Sequence, residues 1–90
     1  MANSKNLSIS PNPNQGNFQA VFHSEQERTL ELVVADVTGR VIYKQTIQAS
    51  SGKNTVQVNL PGDIPKPSIL MVSLENKDVK YSPVKMNYQY

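Results

Sequence analysis

Apolar and polar side chains alternate one by one along most of this chain, and turn residues cut the alternation into short lengths. Thr55-Val56-Gln57-Val58-Asn59-Leu60 is the clearest stretch, and Leu30, Leu32 and Val34 stand at the same spacing. A period of two sends successive side chains to opposite faces of an extended strand, so each stretch buries one face and wets the other. No segment carries the 3.6-residue spacing of an amphipathic helix. The pattern predicts strands over 7–10, 17–23, 55–60, 69–74 and 79–90, and a hairpin over 29–47. Leu30, Leu32 and Val34 are expected to face a core that Val41, Tyr43 and Ile47 cover from the returning strand.

The turns have a chemistry of their own. Pro11-Asn12-Pro13-Asn14-Gln15-Gly16 ends the first strand, since two prolines fix φ and remove two donors. In Asp36-Val37-Thr38-Gly39-Arg40 the carboxylate can accept from the N–H two residues on. Gly39 there suits the positive φ of a type I turn with a G1 bulge. Residues 24–28 read as a polar loop, 49–53 and 75–78 as turns, and 61–67 as a stiff proline-rich connection. The 69–74 run is apolar on both faces and suits a central strand, whereas Pro83 places the last strand at an edge. Seven short antiparallel strands follow, and the expected fold is all-β: a Greek-key β-sandwich of immunoglobulin-like type. Residues 1–6 read as a lead-in linker and residues 7–90 as the single domain.

Composition narrows the functional classes. Of the 90 residues, 38% are hydrophobic and 18% charged, which is globular rather than disordered composition. Nine Lys and Arg against seven Asp and Glu are scattered rather than gathered in a stripe, so nucleic acid is not an expected partner. With no cysteine, disulfides and thiolate metal sites are excluded. No apolar run approaches the ~20 residues of a membrane-spanning helix, so direct membrane insertion is not expected. The first residues lack the apolar stretch of a signal peptide, so an export signal would belong to a larger parent protein.

Catalytic equipment is not legible. His23 is the lone histidine and has no second ligand for a metal. Asp36-Val37-Thr38-Gly39 differs from an aspartic-protease Asp-Thr-Gly by the intruding Val37, and turn chemistry accounts for it. Glu25, Glu27 and Glu31 with Arg28 read as a solvated edge. Tyr81, Tyr88 and Tyr90 gather near the C-terminus, where they read as lining a sandwich edge or forming an aromatic binding platform. No enzyme activity, cofactor or metal is expected.

The order of the motifs is more informative than any one of them. Ser10-Pro11-Asn12-Pro13 closes a first strand, with Gly16-Asn17-Phe18 soon after. Asp36-Val37-Thr38-Gly39-Arg40-Val41-Ile42 comes next, then a Ser51-Gly52 turn and Val56-Gln57-Val58-Asn59-Leu60. From Leu7 onward the chain resembles the C-terminal sorting domain (Por secretion tail, the cleavable type A class) of type IX secretion cargo in Bacteroidota. The resemblance implies an address rather than an active site. A cargo in transit through the periplasm is taken by a shuttle protein and an outer-membrane translocon to the cell surface or the medium. A sortase-like cysteine peptidase removes the domain upstream of its first strand, at or before Asn6. By the same resemblance Pro11, Asn12, Pro13 and Gly16 match the first motif, Asp36, Gly39 and Arg40 the hairpin motif, and Lys85 the basic position of the last strand. That strand, with Lys85, is the expected receptor contact. The family's Gly-x-Tyr before the sixth strand is replaced here by Pro67-Ser68-Ile69. The alternative is a non-catalytic binding module, a fibronectin-like or carbohydrate-binding sandwich appended to a larger secreted protein. Edge strands also offer pairing sites for a dimer.

Overall fold

A computed structural model describes residues 6–11, 16–62, 64 and 68–88. Its seven strands are β1 (Leu7–Ser10), β2 (Asn17–Ser24), β3 (Arg28–Asp36), β4 (Val41–Ala49), β5 (Gly52–Asn59), β6 (Ser68–Glu75) and β7 (Val84–Tyr88). They form two antiparallel sheets, β1-β2-β5 and β4-β3-β6-β7, packed face to face as a sandwich. The chain changes sheet at β2–β3, β4–β5 and β5–β6, which gives the immunoglobulin-like order expected from the sequence. β6 is central, and β7 is an edge strand that starts directly after Pro83.

The alternating residues do what their spacing requires. Phe18, Ala20 and Phe22 of β2 and Val58 of β5 meet Leu30, Leu32 and Val34 of β3 and Leu70, Val72 and Leu74 of β6 across the core. Each fully buried side chain of this size contributes roughly 1.5–3 kcal/mol relative to exposure. The outer residues of the same strands, such as Gln19, Glu31 and Gln57, are exposed.

The structure departs from the alternation in four places. Val34 pairs with Tyr43 but Ala35 pairs with Val41, so Ile42 is an extra residue and the strand bulges there. The bulge turns Val41 out to 48% exposure and packs Ile42 against the core in its stead. β5 begins at Gly52 rather than at Thr55, because the Asn54 side chain bonds Ser50 N–H and the Ser50 and Gly52 carbonyls and shortens the corner to two residues. The last strand is shorter than 79–90: an Asn76 side-chain turn, with Asp78 and Val79 N–H on Oδ1, holds a loop that returns through a single bridge from Glu75 to Lys80. Finally, Tyr81 and Tyr88 are core residues, only 2% and 1% exposed, and form no surface platform. Tyr81 N–H bonds the Leu74 carbonyl, its hydroxyl donates to the His23 carbonyl, and its ring meets Phe22 edge-on at 5.6 Å. Tyr90 lies outside the described residues.

Pairing registers define two poles. Leu7 pairs with Phe22, so the chain enters the sandwich at the pole that holds Ser24, Ala49 and Glu75. Ser10, Gly16, Asn59, Asp36, Ser68 and Tyr88 lie at the other. The side chain of Tyr88 bridges the two sheets there, against Gly16.

Candidate functional site: the turn pole

The β3–β4 motif turn and the described ends of the β1–β2 connection, Pro11 and Gly16, lie at the second pole. The β3–β4 turn is organised by one carboxylate. Asp36 Oδ1 accepts from Thr38 N–H and Arg40 N–H, each at 3.0 Å, and from the Thr38 hydroxyl. Its backbone closes the turn with Gly39 N–H on the Asp36 carbonyl and Asp36 N–H on the Arg40 carbonyl, both 3.0 Å. Gly39 has φ +90°, the left-handed residue that a type I turn with a G1 bulge needs. The Thr38 hydroxyl bond is the main cause that holds the Asp36 carboxyl below its ordinary pKa. The Arg40 and Thr38 N–H groups and the Arg40 charge act the same way, and burial opposes them. Arg40 Nε reaches Asp36 Oδ2 at 3.4 Å while 73% of its side chain stays exposed.

The β1–β2 connection has a different device. Gly16 is buried at φ +107°, and its carbonyl accepts from Leu60 N–H at 2.8 Å, which ties the connection to the end of β5. A Cβ on Gly16 would stand 3.0 Å from Tyr88 Cε1. Pro11 is exposed beside Ser10, whereas Asn12 and Pro13 lie outside the described residues.

The chain from residue 8 to residue 62 matches the family described as the secretion system C-terminal sorting domain, more than half of its length and both motif turns. This chain belongs to that family. No curated protein and no solved structure matches it.

In this sorting domain the matched segment spans the sheet β1-β2-β5 and the β3–β4 hairpin, and β6, β7 and Lys85 fall beyond it. Lys85 is exposed on β7 and pairs with Met71, which stands in register with Ala35 and, across it, Val41. One row of the four-stranded sheet's outer face therefore joins Lys85 to the foot of the motif hairpin. His23 is exposed at the opposite pole. No group of three metal-binding side chains occurs among the described residues, and no helix there is long and apolar enough to cross a membrane.

Sequence reasoning missed a cleft. Between the β3–β4 hairpin and the start of β6 lies an opening of about 440 Å³, with Ile42, Ile64 and Leu70 as apolar walls and Asp36, Arg40 and Ser68 at its polar side. Val41 also lines it. The bulge that presents Ile42 and Val41 this way leaves no mark on the hydrophobic pattern, so the sequence held no signal for it.

Proposed function

We propose that this sorting domain carries a cargo fused ahead of Leu7 to the type IX outer-membrane translocon. In this reading a shuttle protein receives it, and a sortase-like cysteine peptidase cuts at or before Asn6. The family match over residues 8–62 is the observation that supports this reading. Pro11, Asn12, Pro13, Gly16, Asp36 and Gly39 act through the fold, by setting the turns. Arg40 and Lys85 are the charged groups on the pole and its adjoining face that meet the receptor. A dimer would use β5, an eight-residue edge without proline, whereas β1 and β7 are short and β4 is bulged.

The test is a signal peptide, a fluorescent reporter and residues 1–90 in series, expressed in a type IX-competent bacterium and in a translocon-deficient strain. Reporter on the surface or in the medium of the competent strain alone is the expected result, with a new C-terminus on the reporter at or before Asn6. Reporter held in the periplasm of both strains refutes the reading. Removing residues 79–90 is a poor control, because it strips Tyr81, Met86 and Tyr88 from the core. Lys85→Glu changes an exposed residue and tests the contact itself.

A further inference from the structure

We infer that the open edge of β5 is a self-association site, where a second copy of this chain adds its own β5 antiparallel about a two-fold axis at Val56. The inference goes beyond the sorting reading and does not rest on it. Sheet β1-β2-β5 ends at β5, so one side of that strand bonds β2 and, among the described residues, no strand pairs with the other. Leu60 N–H bonds the Gly16 carbonyl on the β2 side. In an antiparallel ladder the bonding direction alternates residue by residue. Lys53, Thr55, Gln57 and Asn59 therefore turn their N–H and C=O groups to the open side.

Proteins that stay monomeric blunt such a row with short strands, prolines, bulges or charges. The other three edges are blunted in this way. β1 has four residues, β7 has five and follows Pro83, and β4 bulges against β3. β5 has eight residues and no proline, and its register with β2 is unbroken from Asn59 to Gly52. Its one charge, Lys53, stands near its start. On the inner face Val58 is fully buried, whereas Val56 packs against the core and stays partly exposed. The apolar flank of the edge is left for another strand to cover.

A second β5 matches this edge in one register. The two-fold at Val56 sets Thr55 opposite Gln57 of the second copy, Lys53 opposite its Asn59, and Val56 against its counterpart. All four outward-bonding residues then have a partner, whereas a slip leaves Lys53 or Asn59 without one. Gln57 Nε2 already donates to Asn59 Oδ1 at 3.3 Å, so its Oε1 remains to accept from the Thr55 hydroxyl of the second copy. The two Lys53 charges lie six residues apart along the pairing, about 20 Å, beyond the screening length at physiological salt. An arbitrary extended segment gains the same backbone bonds without this side-chain match. β1 and β7 touch across the sandwich, so β5 lies on the other flank and the pairing does not cover Lys85.

Sedimentation equilibrium of the 90-residue chain tests the inference, and a monomer–dimer equilibrium is expected. Thr55→Lys together with Gln57→Lys opposes like charges at both Thr55–Gln57 rungs and should weaken the dimer roughly tenfold. Thr55→Lys together with Gln57→Glu opposes unlike charges at the same rungs and should restore it. Both positions are exposed, so the urea midpoint at low chain concentration should not move. A chain that stays monomeric up to roughly 1 mM overturns the inference. So does a dimer that the two pairs of substitutions leave unchanged or weaken alike. A monomer whose export in the reporter assay falls with Thr55→Lys and Gln57→Lys would give the edge to a strand of another protein, and overturns it too. Sedimentation needs no translocon, so failure of the sorting reading leaves this test intact.

Discussion

Replacing Gly16 by alanine separates two physical costs that usually travel together. The residue holds φ +107°, a conformation that costs an L side chain about 1–3 kcal/mol. It also faces Tyr88, whose Cε1 lies 3.0 Å from the site of the new Cβ. That ring is 1% exposed and spans the two sheets, so it gives way only by disturbing its neighbours; overpacking of this kind costs about 1–3 kcal/mol. Gly39 supplies the control. Its φ is +90° but nothing stands within 4 Å of a Cβ there, so Gly39→Ala carries the conformational part alone, about 1–2 kcal/mol. Gly16→Ala should therefore lose about 3–4 kcal/mol in all, a large share of the roughly 5–13 kcal/mol available to a domain this size. In urea titrations with m of about 1–2 kcal/mol per molar, the midpoint falls by about 2 M for Gly16→Ala and about 1 M for Gly39→Ala. Tyr88→Leu closes a double-mutant cycle and should bring the Gly16→Ala cost down to that of Gly39→Ala. Equal losses for the two glycines, or additivity in the cycle, would refute the role given to the Tyr88 contact.

Other perturbations address the turn, the core and the bulge. The Asp36 carboxyl has a depressed pKa in the folded state, so its contribution is complete above the unfolded value of about 4 and is lost as pH falls through the folded value. Asp36→Asn, which keeps an acceptor oxygen, should flatten the decline in urea midpoint between neutral and strongly acid pH. Tyr81→Phe keeps the Phe22 contact but removes the hydroxyl's bond to the His23 carbonyl, and should cost about 1–2 kcal/mol in the same titration. Burial raises the Tyr81 pKa, so its contribution is present below about pH 10 and is lost as pH rises through the folded value; Tyr81→Phe should weaken the alkaline transition. Ile42→Ala should destabilise by about 1–2 kcal/mol and Val41→Ala by under about 0.5 kcal/mol, the reverse of what alternation alone implies.

Period-two spacing made the sandwich legible because one face of nearly every strand is buried. Phe18, Ala20 and Phe22, or Leu70, Val72 and Leu74, admit one orientation, and a slip by one residue would put them in water. Central β6 was legible for the converse reason, a run apolar on both faces. The Asp36 turn was legible because each hydrogen bond lies within five residues. Features made by distant contacts were hidden. The bulge depends on how β4 lies against β3, and the exchange of Val41 for Ile42 follows from it. Tyr81 reads as part of the last strand by local pattern, yet it lies in the loop before β7, where a carbonyl 58 residues away fixes its hydroxyl. The cleft joins the hairpin to Ile64 and Leu70, residues that only the packed sheets bring near Arg40.

The position of β1 bears on how the domain withstands traction. Leu7 enters at one pole while the β3–β4 turn occupies the other, and β1 is held by antiparallel pairing to β2 over four residues. With the turn pole gripped and a load applied ahead of Leu7, the pull runs along the strand axis. All the rungs between β1 and β2 are then strained in shear at once, with Leu7 and Ile9 anchored in the core behind them. A pull directed across the sheet would instead peel the rungs one after another. A four-residue strand placed this way is a stronger tether for a dragged cargo than its length suggests, and its weak direction is sideways.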